Sequence, residues 1–191
     1  GVQHISAYHL TVEPQTAFGR RMAQGRFSPV TEETSEEEFL TVHDTLTAAG
    51  FEHYEVSNYA LPGFRARHNA SYWHGTKYLG IGTAAHSFDG EERHWNASSV
   101  EKYIAGAPAG KEVLTRRDRF NEYVMTALRT VEGIDLEEAA ARFGAKRLAR
   151  MQEEAAPFLR SGTLRIARGR MALPPEKFLI SDAVIGALFE T

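Results

Sequence analysis

Between His4 and Asn58 the chain carries a pattern that few folds can satisfy. Ile5, Ala7 and His9 alternate with Ser6, Tyr8 and Leu10, and a run apolar on both sides reads as a buried strand ending at Glu13-Pro14. A helix follows. Ser35 with Glu38 makes a capping box, Phe39, Val42, Leu46 and Ala49 recur at helical spacing, and Gly50 stands where a helix closes. The acidic start, Glu36-Glu37-Glu38, suits the positive end of the helix dipole. Phe51 to Ser57 reads as a second strand. Residues 4–58 thus predict a strand, helix, strand unit of the kind that builds parallel sheets, with a ligand crevice at the strand ends, Glu13-Pro14 and Ser57-Asn58-Tyr59.

Residues 60–96 read as a long connection rich in glycine and aromatic side chains, and long irregular stretches inside compact domains usually carry function. All eight histidines, His74 among them, fall within the first 94 residues, which suggests two regions with different roles. The join is expected at Ala105-Gly106-Ala107-Pro108-Ala109-Gly110, where small residues, Gly and Pro supply no periodic apolar face. That gives domains over 1–110 and 111–191. In the second, Asp118 is placed to cap a helix bearing Phe120, Val124, Ala127, Leu128 and Val131, closed by Gly133. Asp135 with Glu138 opens a short helix ending at Phe143-Gly144, and a third helix runs from about Lys146 towards Arg160, interrupted by Pro157. Leu164 to Leu173 reads as a β-hairpin turning at Arg168-Gly169, and a last helix from about Ser181 buries Val184, Ile185, Leu188 and Phe189. The order resembles a winged-helix-type arrangement. The fold class expected is therefore α/β plus α.

Composition narrows the function. The 191 residues are 42% hydrophobic and 25% charged, with no apolar run near the ~18 residues of a membrane-spanning helix. With no Cys there is neither a disulfide nor a thiolate metal site. The net charge is -3; residues 1–115 hold 9 Lys and Arg against 14 Asp and Glu, and residues 116–191 hold 13 against 11. Neither half has the bias of a dedicated nucleic-acid or membrane-surface binder. The opening Gly1-Val2-Gln3-His4 has no Met and no charged leader, so the expectation is a cytoplasmic protein and a segment of a longer chain.

The densest cluster of chemistry is His68-Asn69-Ala70-Ser71-Tyr72-Trp73, preceded by Arg65 and Arg67 and followed by Tyr78-Leu79-Gly80-Ile81-Gly82-Thr83-Ala84-Ala85-His86-Ser87. An imidazole beside Tyr and Trp rings suits a flat, metal-containing macrocycle: an axial nitrogen, stacking faces, and Arg for carboxylates. Gly80 and Gly82 would admit a ligand close to the backbone. Taken on their own, the same residues more readily describe a hydrogen-bonded core histidine. No H-E-x-x-H, no Walker sequence and no Gly-x-Ser-x-Gly elbow occurs, and Ala85 stands where a dinucleotide loop needs its third glycine.

Taken in order, His4-Ile5-Ser6-Ala7-Tyr8 with Leu10-Thr11-Val12-Glu13-Pro14, Tyr54-Glu55-Val56-Ser57-Asn58-Tyr59-Ala60, His68-Asn69-x-x-Tyr72-Trp73, and Leu79-Gly80-Ile81-Gly82 through His86-Ser87 resemble consecutive blocks of one family. It is the radical S-adenosylmethionine (SAM) family of oxygen-independent coproporphyrinogen III oxidase, and the His-Asn-x-x-Tyr-Trp block resembles its heme-chaperone branch. The resemblance implies the C-terminal strands of a partial TIM-type barrel followed by a helical domain. It implies heme or another tetrapyrrole bound by His68, as iron ligand, with Asn69, Tyr72 and Trp73, and delivery to heme-accepting proteins. It implies SAM contacts from Ser6, Gly80, Gly82 and His86. SAM and a 4Fe-4S cluster would serve the full-length protein, whose three-Cys motif is absent here, so this segment would be inactive in isolation. Two alternatives stand beside heme delivery: oxidation of coproporphyrinogen III in porphyrin biosynthesis, and a winged-helix nucleic-acid module using Arg142, Lys146, Arg147, Arg150, Arg165, Arg168 and Arg170. The cut edge of the barrel is expected to invite dimerisation.

Overall fold

The computed structural model describes residues 1–73, 75–108 and 110–191; His74 and Ala109, which the sequence reading included, lie outside the described residues. The chain folds as two compact units, Gly1–Ala66 with Pro175–Leu179, and Arg67–Pro174 with Ile180–Thr191. The break between these two units falls at Ala66, and the small-residue stretch at 105–110 lies within the second.

In the first unit, strand β1 (His4–Ser6) is followed by helices α1 (Ala17–Ala23) and α2 (Glu32–Ala48), then strands β2 (Glu52–Glu55) and β3 (Asn58–Ala60). The sheet order is β1-β3-β2, with both pairings antiparallel. The expected crossover exists, since β1 and β2 run the same way, but β3 turns back and lies between them. A parallel neighbour pair is therefore replaced by a hairpin. The reason is local: Val56-Ser57 turns the chain over, with Ser57 N–H donating to the Glu55 carboxylate at 3.1 Å. The buried strand expected to run to Glu13-Pro14 stops at Ser6; beyond it Tyr8 and Leu10 are exposed. Helix α2 begins a turn earlier than Ser35. Thr31 caps it by accepting from Thr34 N–H at 3.2 Å, and Glu32 and Glu33 supply the acidic first turn. Gly50 closes it at φ +89°, as its position suggests. Phe39, His53, Tyr59 and Phe178 form the core of this unit.

The second unit opens with α3 (Arg67–Trp73) and continues with β4 (His86–Phe88), β5 (Glu92–Trp95), α4 (Val100–Ile104) and β6 (Gly110–Val113). Residues 60–96 are thus not a plain loop. They end one sheet and begin a second, ordered β4-β5-β6, that continues across the 105–110 stretch through the β5–β6 pairing. Periodicity missed these strands because they are only three or four residues long.

Next come α5 (Arg116–Leu128), β7 (Ile134–Asp135), α6 (Leu136–Phe143), α7 (Ala145–Arg160), β8 (Arg165–Ala167), β9 (Arg170–Ala172), a 3-10 turn (Pro175–Ile180) and α8 (Ser181–Ala187). The cap of α5 is Thr115 rather than Asp118, which sits three residues in and completes a reciprocal capping box. Thr115→Ala is expected to lower the stability of this unit by about 1 kcal/mol in a urea titration, with the slope unchanged. Gly133 does not close α5; the helix ends at Leu128 and Gly133 shapes the turn into β7. Asp135 caps α6 as expected, accepting from Glu137 and Glu138 N–H. Pro157 does not interrupt α7, which runs on to Arg160. So close to the C-terminal end, the proline removes a single helical donor. The hairpin turns at Arg168-Gly169, and its sheet is ordered β7-β9-β8. Val184, Ile185 and Leu188 of the last segment are buried, while Phe189 is only partly so. The core is Phe120, Val124, Leu128, Met151, Leu164 and Met171, each at most 2% exposed.

Candidate functional site

Helix α3 is two turns long and carries all four residues of the His-Asn-x-x-Tyr-Trp block. His68 and Tyr72 are one turn apart and so share a face. The Tyr72 hydroxyl lies 3.1 Å from His68 Nε2, and the two rings meet edge to face with centroids 5.1 Å apart. Tyr72 in turn meets Tyr78 at 5.1 Å, and Tyr78 lies 6.2 Å from Phe88. His68 therefore heads a row of aromatic rings. It is exposed, whereas Asn69 and Trp73 are partly buried. An exposed imidazole with one nitrogen held by a phenol is available to a ligand; the sealed core histidine allowed by the sequence is not what forms.

Tyr72 and Trp73 also line a cleft of about 470 Å³ within the second unit. Its other walls come from the turn after α3, the β4–β5 hairpin and α5, with α6 and β9 at one side. His68 is not among its lining residues, so the imidazole stands beside this cleft through Tyr72 rather than inside it. Nor is the cleft at the carboxyl rim of a parallel sheet, since every strand pair among the described residues is antiparallel. Arg93 crosses to Glu122 at 2.6 Å; burial works against its charge, but that carboxylate and the Tyr78 hydroxyl outweigh it and raise the guanidinium's pKa. Burial pushes the Tyr123 phenol up to about 12, with Glu138 adding to the shift, so it faces the cleft protonated. The Trp73 indole N–H is buried without an acceptor among the described residues, and the Arg129 guanidinium lies 6.0 Å from its ring.

The glycine loop has its own structural reasons. A Cβ on Gly80 would stand 2.1 Å from the carbonyl oxygen of His86, and Gly82 sits at φ +108°. Asn96, which nothing in the sequence marks, clamps the loop by donating its side-chain amide to the carbonyls of Gly80 and Gly82 at 3.3 and 2.9 Å. His86 is exposed on β4, its ring 5.9 Å from that of Trp95. Gly80, Gly82 and His86 thus belong to one structural neighbourhood. Ser6 belongs to the other unit, where its hydroxyl donates to Asn58, whose amide donates to the buried Glu55 carboxylate.

Among the described residues no cluster of three or more His, Asp or Glu side chains could hold a metal, and the chain has no Cys. An iron-sulfur cluster held by three thiolates does not fit the side chains of this chain. Among the described residues no helix is long and apolar enough to cross a membrane.

Three comparisons bear on identity. Residues 114–180 match the family model described as the HemN C-terminal domain. In sequence the chain is similar to the heme chaperone HemW of Mycobacterium tuberculosis, 36% identical over 98% of this chain and 48% of that protein. It is similar also to HemW of Lactococcus lactis, 33% identical over 73% of this chain and 38% of that protein. The chain spans about half or less of the length of these relatives. In fold it is similar to coproporphyrinogen III oxidase (HemN) from Escherichia coli, described as a radical SAM enzyme, with a TM-score of 0.75 at 15% identity over 99% of this chain and 48% of that one. On the strength of the sequence likeness, with a matching mixed α/β fold, the chain belongs to the HemN-like family of radical SAM proteins, in the branch that contains HemW.

Proposed function

We propose that this chain is the heme-handling part of a heme chaperone, taking up heme and passing it to heme-accepting proteins. One observation carries the reading: His68 is exposed on α3 at the head of the Tyr72, Tyr78 and Phe88 ring series, in a chain similar to HemW almost from end to end. His68 is the iron ligand, Tyr72 orients its ring, and Asn69 and Trp73 shape the helix around it. In the longer protein Gly80, Gly82 and His86 contribute to the SAM site, Ser6 stands as a separate candidate SAM contact on the first unit, and the 4Fe-4S cluster is held by residues other than those of this chain. That β1 and β2 run in the same direction supports a place for the first unit at the end of a partial TIM-type barrel in the longer protein. Residues 111–191 form the helical domain, supported by the match over 114–180. Its order of helices and its β7-β9-β8 sheet support a winged-helix-like reading of that domain.

Titrating the chain with heme tests this. The expected result is a saturable Soret band that His68→Ala shifts or abolishes, with affinity lowered at least about tenfold. A band unchanged in that variant removes His68 as ligand.

Coproporphyrinogen oxidation finds less support, since the likeness to HemN is one of fold at 15% identity. The nucleic-acid alternative loses much of its free charge. Arg142 pairs with Glu138 at 2.7 Å, Arg147 with Glu190 at 2.6 Å, Arg150 with Glu154 at 3.0 Å and Arg170 with Asp135 at 2.9 Å. Guanidiniums already matched to carboxylates release few counterions on meeting phosphate.

A further inference from the structure

We propose that the cleft between α3 and α5 is a second part of the tetrapyrrole site, gripping the carboxylate edge of the macrocycle through Arg119. The proposal deepens the heme reading of His68 and rests on it.

The shape of the cleft is the first argument. At about 470 Å³ it falls within the range of small-molecule sites, and it holds a large part of a flat macrocycle. Tyr72, Trp73, Tyr78, Phe88 and Tyr123 give it aromatic walls. Such walls suit a planar, apolar, polarisable body.

Charge supplies the second. Four guanidiniums line the cleft: Arg93, Arg119, Arg142 and Arg170. Three are already matched: Arg93 to Glu122, Arg142 to Glu138 and Arg170 to Asp135. Arg119 has no ion-pair partner among the described residues, so it is the cation with capacity for an incoming carboxylate. It stands in the first turn of α5, held by the capping box of Thr115 and Asp118. A planar fork on a rigid helix suits a carboxylate, which it can meet with two parallel hydrogen bonds.

Continuity is the third. Tyr72 faces both places: its hydroxyl meets His68 Nε2 and its ring lines the cleft. A macrocycle whose metal is ligated at His68 can extend along Tyr72 into the cleft. The ligand class that follows is a tetrapyrrole bearing free carboxylates.

The test uses metal-free protoporphyrin IX, which His68 cannot ligate through iron, beside its dimethyl ester, which lacks the charge. Binding is followed by quenching of tryptophan fluorescence in wild type, Arg119→Gln and Arg119→Lys. The free acid is expected to bind wild type about tenfold tighter than the ester. Arg119→Gln should erase that preference while leaving the ester's affinity as it was, and Arg119→Lys should restore part of it. A preference that survives Arg119→Gln overturns the proposal. Heme titrated in parallel keeps the two readings apart. A His68-dependent Soret band with no Arg119 effect leaves the chaperone reading standing and removes the cleft. Porphyrin binding that depends on Arg119, without a His68-dependent band, keeps the cleft and removes His68 as ligand.

Discussion

Gly133→Ala is expected to destabilise the second unit by about 3 kcal/mol, the sum of a left-handed backbone cost of roughly 1–2 kcal/mol and an overpacking cost of similar size. Gly133 adopts φ +65° in the turn between α5 and β7, and a Cβ there would stand 2.3 Å from the Met171 carbonyl oxygen and 2.5 Å from the Ala172 Cβ. Neither obstacle is the loose end of a side chain. Met171 is fully buried and pairs with Ile134, so relief would have to come from moving β9. Gly162 provides the control. It too has positive φ, +75°, but open space where its Cβ would point, so Gly162→Ala should cost only the backbone share, about 1 kcal/mol. With a urea slope near 2 kcal/mol/M, the two midpoints should differ by about 1 M in far-UV circular dichroism. Equal midpoints for the two variants would rule out the steric argument.

Acidification should weaken the first unit through His53. Its ring is 4% exposed, stacked on Tyr59 at 4.0 Å and edge-on to Phe178 at 5.1 Å. Burial first, and the neighbouring His43 ring second, hold its pKa down to about 4, against the pull of the Val56 and Glu55 backbone. The unfolded chain takes up this proton near pH 6.5, while the folded one refuses it until about pH 4. Below pH 6.5 the unfolded state therefore binds more protons, and stability falls as the pH drops through that window, then levels off beneath it. At about 1.4 kcal/mol per pH unit the loss is roughly 3 kcal/mol. Carboxylates titrate nearby, so the informative quantity is the difference between wild type and His53→Gln, measured as urea midpoints from pH 7 to pH 4. The variant should start less stable at pH 7 and show a flatter decline; parallel declines would show that His53 does not carry this part of the acid sensitivity.

Much of the second unit was legible from residues alone. The hairpin turning at Arg168-Gly169, the Asp135 cap and the closing helix all formed where turn chemistry and spacing put them. Caps were less secure: Thr115 and Thr31 took the roles expected of Asp118 and Ser35, because any hydroxyl or carboxylate a few residues away can serve the same amide. Of the candidate site, the pairing of His68 with Tyr72 follows once α3 is a helix, since four residues make one turn. The cleft does not follow. Its walls come from stretches as distant as Tyr72 and Arg170, and no local pattern reports that they meet.

By itself the sequence determined α2 and the helices beyond Arg116, the turn at Arg168-Gly169, that no thiolate chemistry resides here, and the family to which the chain belongs, while the short helices α1, α3 and α4 were not legible in it. Tertiary structure decided the rest: the reversal that sets β3 between β1 and β2, the sheet that runs through the presumed domain boundary, and the neutralising of all but one arginine around the cleft. The physical reason is range. Helix propensity, capping and turn preference act over three or four residues and are written locally, whereas strand partners and many ion pairs are chosen among groups tens of residues apart, by whichever arrangement buries apolar surface while leaving charges matched or solvated.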